Sequence, residues 1–283
     1  MKEIILKNGV KMPMEGFGVL QLKAPALCES CVKEALRAGC RLIDTAAAYF
    51  NEESVGKAVK ESGISRKDIF LTTKLWIQDA GYGRTKEAFE QSLKRLGVDY
   101  LDLYLIHHPF GDYYGAWRAL ERLYQEGKVR AIGVSNFDEA RLADLCLNSE
   151  VAPMVNQIEL HPFHQQPGAL QSMKEYQVQP EGWAPLCEGQ RLIFQNKVFA
   201  KIGKKYGKTA AQVILRWNVQ RGVVVIPGSS DKNHIRENMD IWDFSLSDGD
   251  MKAIGELDLG HSEIVNHHTA CTAKWLNEWK IHE

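Results

Sequence analysis

The sequence predicts a parallel (β/α)8 TIM barrel, and three observations predict it. Eight short apolar runs recur through 283 residues with amphipathic segments between them. Several of those runs are apolar on both faces, and the chain contains neither a linker nor a low-complexity stretch. Strands buried on both faces belong to a parallel sheet covered by helices, and eight βα units in a chain of this length fit a closed barrel best. We therefore expect a single domain over residues 1–283. The alternative, an open doubly wound sheet, usually carries G-x-G-x-x-G after its first strand. Neither Gly16-Phe17-Gly18 nor Gly81-Tyr82-Gly83 completes that pattern.

In chain order, residues 2–6 and 10–14 flank Lys7-Asn8-Gly9, and Asn-Gly between two short alternating runs signals an N-terminal β-hairpin. A first barrel strand is expected at 16–20, then a helix at 25–38 stopped by Gly39. Further strands are expected at 42–46, 69–75, 101–107, 129–135, 154–160, 182–186 and 223–227. Helical periodicity fills 53–62, 85–96, 114–126, 139–147, 168–176 and 209–220. The stretch Gly203-Lys204-Lys205-Tyr206-Gly207-Lys208-Thr209 resembles a phosphate-binding loop. Its first glycine stands one position too close and no strand precedes it, so it reads as a helix junction.

Charge and cysteine usage narrow the function classes. A net charge of -1 offers no concentrated basic face for a nucleic acid or a membrane surface. No apolar run approaches a membrane span, and the first residues show no leader pattern, so a soluble, unprocessed cytoplasmic protein is expected. Six scattered cysteines in a chain this large suit a reducing compartment. Cys28 and Cys31 form a lone C-x-x-C inside a helical pattern. With no second pair nearby they read as buried thiols rather than metal ligands.

Reactive groups in a parallel barrel gather where strands end. Asp44, Lys74 and His107 fall at the ends of three consecutive expected strands. Parity places Lys74 on one face with Thr72 and Phe70, and His107 with Leu101, Leu103 and Leu105. A carboxylate, an ammonium and an imidazole are thus aimed at one point. Tyr49 leaves the second strand close by. A lysine kept charged by a carboxylate favours phenolate, so Tyr49 is expected to be more acidic than an ordinary tyrosine. That arrangement suits proton transfer at a carbonyl with an outside hydride donor. Each residue alone is more often an ion pair, a packing ring or a core histidine; their coincidence at successive strand ends favours a site.

These residues, in this order, resemble the aldo-keto reductase family. The resemblance rests on Leu42-Ile43-Asp44-Thr45-Ala46 with Tyr49 and Asn51-Glu52, on Thr73-Lys74-Leu75-Trp76, and on Asp102-Leu103-Tyr104-Leu105-Ile106-His107. It continues through Gly133-Val134-Ser135-Asn136-Phe137, Asn156-Gln157-Ile158-Glu159-Leu160-His161-Pro162, and Ile226-Pro227 with Ile235-Arg236-Glu237-Asn238. It is closest to the bacterial branch that includes 2,5-diketogluconate reductases. The resemblance implies a barrel closed at its base by the hairpin, with a nicotinamide dinucleotide, NADP(H) or NAD(H), across the top. It implies a catalytic group of Asp44, Tyr49, Lys74 and His107. Ser135, Asn136 and Gln157 would hold the nicotinamide amide, Trp183 would stack on the ring, and the loop carrying Leu186 would cross the pyrophosphate. It also implies reduction of aldehydes or ketones, by a protein that acts as a monomer on small-molecule carbonyls.

Departures from the family lie mainly at the adenine end. Gly228 stands where the family usually has lysine and His234 where it usually has arginine, whereas Ser229, Glu237 and Asn238 match. Losing charged hydrogen bonds worth about 1.5–3 kcal/mol each weakens 2'-phosphate binding by about ten- to more than hundredfold. Less strict NADPH use is therefore expected, with Lys232, Arg236 or Ser230 as candidate substitutes for the missing cations. In the substrate pocket His108 replaces a common tryptophan and Leu20 a common aromatic, while Trp76 remains. Sugars, keto acids, dicarbonyls and simple aldehydes all fit a somewhat polar pocket. The tail histidines His261, His267 and His268 with Cys271 read as a pocket lid rather than a metal site. A cofactor-binding regulator or structural protein on the same fold is disfavoured by the full catalytic set. A phosphate-handling isomerase is disfavoured by Ile226-Pro227-Gly228-Ser229, which lacks a glycine-rich phosphate loop.

Overall fold

The computed structural model describes residues 2–283. Strands β1 (Glu3–Ile5) and β2 (Lys11–Pro13) pair antiparallel around Gly9, whose φ of 85° the turn requires. Eight strands follow in one parallel sheet in chain order: β3 (Phe17–Gly18), β4 (Leu42–Asp44), β5 (Phe70–Leu75), β6 (Leu101–Ile106), β7 (Val129–Ser135), β8 (Val155–Glu159), β9 (Gln179–Trp183) and β10 (Val224–Val225). The last strand meets the first. Val225 donates to Met14 O at 3.1 Å, Gly16 to Val225 O at 2.8 Å and Gly18 to Pro227 O at 3.2 Å, which closes the barrel.

Around it run α1 (Pro25–Arg37), α2 (Glu52–Glu61), α3 (Tyr82–Leu96), α4 (Tyr113–Gln125), α5 (Glu139–Leu147) and α6 (Pro167–Glu175). They continue with α7 (Lys197–Tyr206), α8 (Ala210–Gln220), α9 (Lys232–Asn238), α10 (Asp248–Gly255) and α11 (Ala270–Glu278). Local chemistry sets several ends. Asp138 caps α5 by accepting from Arg141 N at 2.8 Å, and Gly97 ends α3 in the left-handed region at φ 64°. The phosphate-loop lookalike is a helix junction, as its spacing implied. Gly207 terminates α7 at φ 66°, and Thr209 with Gln212 forms a capping box at the start of α8.

Two expectations need correction. The seventh barrel strand is not 182–186 but Gln179–Trp183, held in register by Gln179 opposite Val155 and Trp183 opposite Glu159. Its polar first half, Gln179-Pro180-Glu181, hides it from an apolar-run search, and Ala184 at φ 46° turns the chain out of the sheet. Helix α7 likewise lies outside the expected helices, which name only the junction that follows it.

Both ends of the barrel bury charge. At the base, Asp102 is fully buried and accepts from Arg66 Nη1 and Arg130 Nη1, each at 2.7 Å, and from Leu71 N at 3.0 Å. On the side, Cys28 and Cys31 are buried thiols in α1, and burial pushes Cys28 up to about 12. Glu15, beside the closing strand, is buried with one donor, Trp242 Nε1 at 2.8 Å, and burial pushes its carboxyl up to about 8.

Candidate active site

The C-terminal ends of β4, β5 and β6 bring together the residues expected there. Register aligns Asp44 with Thr72 and Lys74 with Leu105, so the carboxylate and ammonium project into the barrel from adjacent strands. Lys74 Nζ donates to Asp44 Oδ1 at 2.5 Å and to Thr45 O at 3.1 Å, and Lys74 is wholly buried. Burial works against the ammonium, but Asp44 overrides it and raises the lysine above its ordinary value.

Tyr49 stands on a single 3-10 turn, Ala47–Tyr49, with its ring 5.1 Å from Lys74 Nζ and its hydroxyl 3.5 Å from His107 Nε2. Its acidity departs from expectation. Desolvation pushes the phenol above its usual value, and the downward pull of Lys74 only partly offsets it, because Asp44 neutralises much of that field. The phenol therefore stays protonated at neutral pH. His107 is held well below its usual value by burial, by stacked His108 and by Lys74, so its imidazole is neutral. Its Nδ1 is buried without a partner. A hydrogen on Nε2 then leaves only a lone pair unmet, and points the N–H toward the Tyr49 hydroxyl.

These groups face a cavity of about 910 Å³. Leu20, Trp76, His107 and His108 line one end, and Ser135, Asn136, Gln157 and Trp183 the middle. Leu186, Gly228, Ser229, His234, Glu237 and Asn238 line the other end. Asn136 adopts φ 63°, which asparagine tolerates better than most residues, and this turns its amide inward. It donates to His107 O at 2.9 Å and accepts from Trp183 Nε1 at 2.8 Å, fixing the indole in the wall. Ser135 Oγ donates to Gln157 O at 2.8 Å. The loop after β9 holds Ala184, Cys187, Glu188, Arg191 and Leu192 at positive φ, strain of the kind that gathers at ligand clamps.

At the end lined by Leu20, Trp76, His107 and His108 the tail crosses the cavity. His108 stacks on His107 with ring centroids 4.6 Å apart, and His267 Nε2 lies 3.0 Å from His108 Nδ1. Trp76 Nε1 donates to Trp279 O at 2.8 Å, Ile281 N to Gln78 Oε1 at 2.9 Å, and His282 Nε2 meets Asp79 Oδ1 at 2.7 Å. His268 lies 3.8 Å from Asp138 and His261 3.6 Å from Glu263, so the tail histidines point to separate partners.

A model of the aldo/keto reductase family matches residues 23–259. The chain belongs to the aldo/keto reductase family. It is 50% identical over 253 residues to a glyoxal reductase of Bacillus subtilis (strain 168), covering 89% of this chain and 91% of that one. It is 43% identical over 260 residues to a methylglyoxal reductase of Escherichia coli (strain K12), covering 91% and 94%. Among solved structures, an aldo-keto reductase from a Medee basin deep-sea metagenome library superposes with TM-score 0.92 at 44% identity, covering 94% of this chain and 99% of that one. A Bombyx mori aldo-keto reductase in complex with NADP superposes with TM-score 0.88 at 31% identity, covering 92% and 94%. This reductase is thus an NAD(P)H-dependent oxidoreductase acting on small-molecule carbonyls, from the bacterial branch of its family.

The donor set fits a nicotinamide cofactor. Gln157 spends its Nε2 on Asp44 Oδ2 at 3.0 Å and on Glu181 Oε2 at 2.9 Å, which leaves its carbonyl oxygen free toward the cavity for a carboxamide N–H. Sequence reasoning missed Glu181. Strand parity could have found it, since it stands two residues before Trp183 and so on the same inward face. At the end lined by Gly228, Ser229 and His234, and elsewhere along the cavity, no lysine or arginine is among the described lining residues. Arg236, a candidate substitute, is paired with Glu34 at 2.7 Å, and Asp231 occupies the backbone N–H groups of Asn233 and His234. A Cβ on Gly228 would meet Gly18 O at 2.7 Å, so a lysine there would displace the backbone that closes the barrel.

Proposed function

We propose that this reductase converts small α-dicarbonyls to hydroxycarbonyls, with Tyr49 as proton donor and with NADH accepted alongside NADPH. The observation that carries the proton role is the pair formed by the Tyr49 hydroxyl and His107 Nε2, 3.5 Å apart at the cavity wall. Two donors at that separation can both point to one carbonyl oxygen. The nicotinamide supplies the hydride when bound. As negative charge grows on the oxygen, Tyr49 delivers its proton and the neutral His107 holds the oxygen in place. Lys74 stabilises the phenolate left behind, and Asp44 keeps Lys74 charged. Ser135, Asn136 and Gln157 orient the carboxamide, and Trp183 offers its face to the ring. A phenol that resists ionisation favours reduction over the reverse reaction at neutral pH.

The substrate reading is supported by the polar wall of His107, His108 and His267 beside Trp76, and by the names of the two bacterial relatives. The cofactor reading is supported by a lining without lysine or arginine. The same reading takes the chain as a cytoplasmic monomer. Steady-state kinetics on a carbonyl panel with both cofactors tests it. Glyoxal and methylglyoxal should exceed a long-chain aldehyde in kcat/KM by about tenfold or more, since an apolar chain leaves the three histidines unmatched. NADPH should be preferred over NADH by less than about a hundredfold. A stronger NADPH preference, or a reversed order of carbonyls, overturns the corresponding part. Tyr49→Phe should abolish reduction while sparing cofactor binding, and unchanged turnover removes the proton-donor role.

A further inference from the structure

The barrel holds a further ionisable side chain that the reaction as described does not use. Glu181, on β9, is wholly buried. Its Oε2 accepts from Gln157 Nε2 at 2.9 Å, and its Oε1 has no partner. The other hydrogen of the same amide goes to Asp44 Oδ2 at 3.0 Å. Lys74, Asp44, Gln157 and Glu181 therefore form one chain of contacts across the barrel top, running from β5 and β4 to β8 and β9.

A primary amide has two hydrogens and one carbonyl oxygen. With Asp44 on one side of Nε2 and Glu181 on the other, Gln157 cannot turn its oxygen inward without giving up both N–H bonds and setting that oxygen against the Asp44 carboxylate. One carboxylate alone, Asp44, would leave the side chain free to pivot about that bond. The second carboxyl removes the pivot. Glu181 is thereby the group that fixes which end of Gln157 meets the cofactor, without touching the cofactor itself.

We infer that Glu181 is a positioning residue of this reductase: set against Gln157 Nε2 opposite Asp44, it locks the Gln157 amide with its oxygen toward the nicotinamide carboxamide. The inference rests on the reading of Gln157 as a carboxamide partner. Its charge state follows from its surroundings. Burial and the nearby Asp44 push Glu181 up to about 8, against the pull of the Gln157 hydrogen bond and of Lys74. Asp44 on β4 and Lys74 on β5 are the charged groups that face it. Below that value Asp44 and Lys74 balance. Above it an added negative charge faces Lys74 and weakens the field that stabilises a Tyr49 phenolate, so reduction should lose rate on the alkaline side.

Two variants and two ligand fragments test this. Glu181→Gln keeps a hydrogen-bond acceptor but cannot ionise; Glu181→Leu removes the acceptor. Binding of NADPH, NADH and ADP-ribose, which lacks the nicotinamide, is read by quenching of tryptophan fluorescence. Glu181→Leu should weaken both dinucleotides by about tenfold, the worth of one buried hydrogen bond, and leave ADP-ribose within about twofold. Glu181→Gln should match the parent at pH 7 and lose the fall in kcat/KM that the parent shows near pH 8. Equal weakening of ADP-ribose and dinucleotides in Glu181→Leu would mean a structural role and overturns the inference. So does a pH profile of Glu181→Gln superimposable on the parent's, which stands as the test if the leucine variant does not fold. Gln157→Ala separates the two readings. If it leaves dinucleotide binding unchanged, the role of Gln157 fails first. If it weakens binding while Glu181→Leu does not, only the role of Glu181 fails.

Discussion

Asp44 and Asp102 are both buried acids two strands apart in one sheet, each paired with a base, yet they face opposite sides of that sheet and differ in what surrounds them. Asp102 is saturated by two guanidinium groups and a backbone N–H that reach in at the base. Asp44 has one ammonium and one amide, and beyond them lie a phenol, an imidazole and a cavity of about 910 Å³. Burial and pairing are thus common to both and distinguish neither. What marks the upper pair is that its lysine has a further group to act on. An ion pair whose partners are all consumed holds a fold; one whose field reaches a titratable neighbour can do chemistry.

The sharpest way to break this comparison is to remove the base from each pair. Lys74→Met should lower kcat by about a thousandfold, because the phenolate loses its stabilising charge. A loss below about tenfold, measured on protein shown to be folded by circular dichroism, would make Asp44 and Lys74 as structural as the lower cluster. The reciprocal case is Asp102→Ala, which strands Arg66 and Arg130. It should cost about 3–5 kcal/mol in urea unfolding while leaving kcat of the folded enzyme within about threefold. A large kcat defect without loss of stability would erase the distinction.

Smaller effects refine it. His234→Arg, which adds charge at the adenine end far from both pairs, should raise the NADPH-to-NADH ratio of kcat/KM by about tenfold. No change would assign the 2'-phosphate to other groups. Finally, Glu15 and Glu181 both titrate near 8 in the folded chain. Each holds its proton more tightly folded than unfolded, so the stability these two groups contribute is full below the ordinary carboxylate range and is lost as pH rises toward about 8. Thermal melts across that window should decline, and Glu15→Gln with Glu181→Gln should flatten the slope.

Much of the barrel was legible because its signals are local. Strands such as Val129–Ser135, and helices such as α5, are bounded by their own apolar periods and caps, and the expected ranges match. The residues expected at the site do converge, since alternation along β4, β5 and β6 dictates which side chains face inward. The failures have one cause in common. Glu181 and the strand that carries it are specified by long-range pairing to β8, not by an apolar run. The acidity of Tyr49 was misjudged for the same reason: spacing places Lys74 nearby, but only the packed structure shows how far burial outweighs it. Asp102 sits within a family signature, and only its two arginines reveal that it serves the base.

One feature of the cavity bears on how the enzyme finds its cofactor. A pyrophosphate-bearing dinucleotide is a polyanion, and most sites for such ligands draw them in from a distance. Here the lining carries no lysine or arginine and does carry Asp44, Glu188 and Glu237. Capture must then depend on diffusion and on short-range fit rather than on long-range attraction. The association rate should hold or rise as ionic strength rises, where a steered encounter would slow steeply as salt shortens the Debye length. Recognition in this reductase would begin at contact.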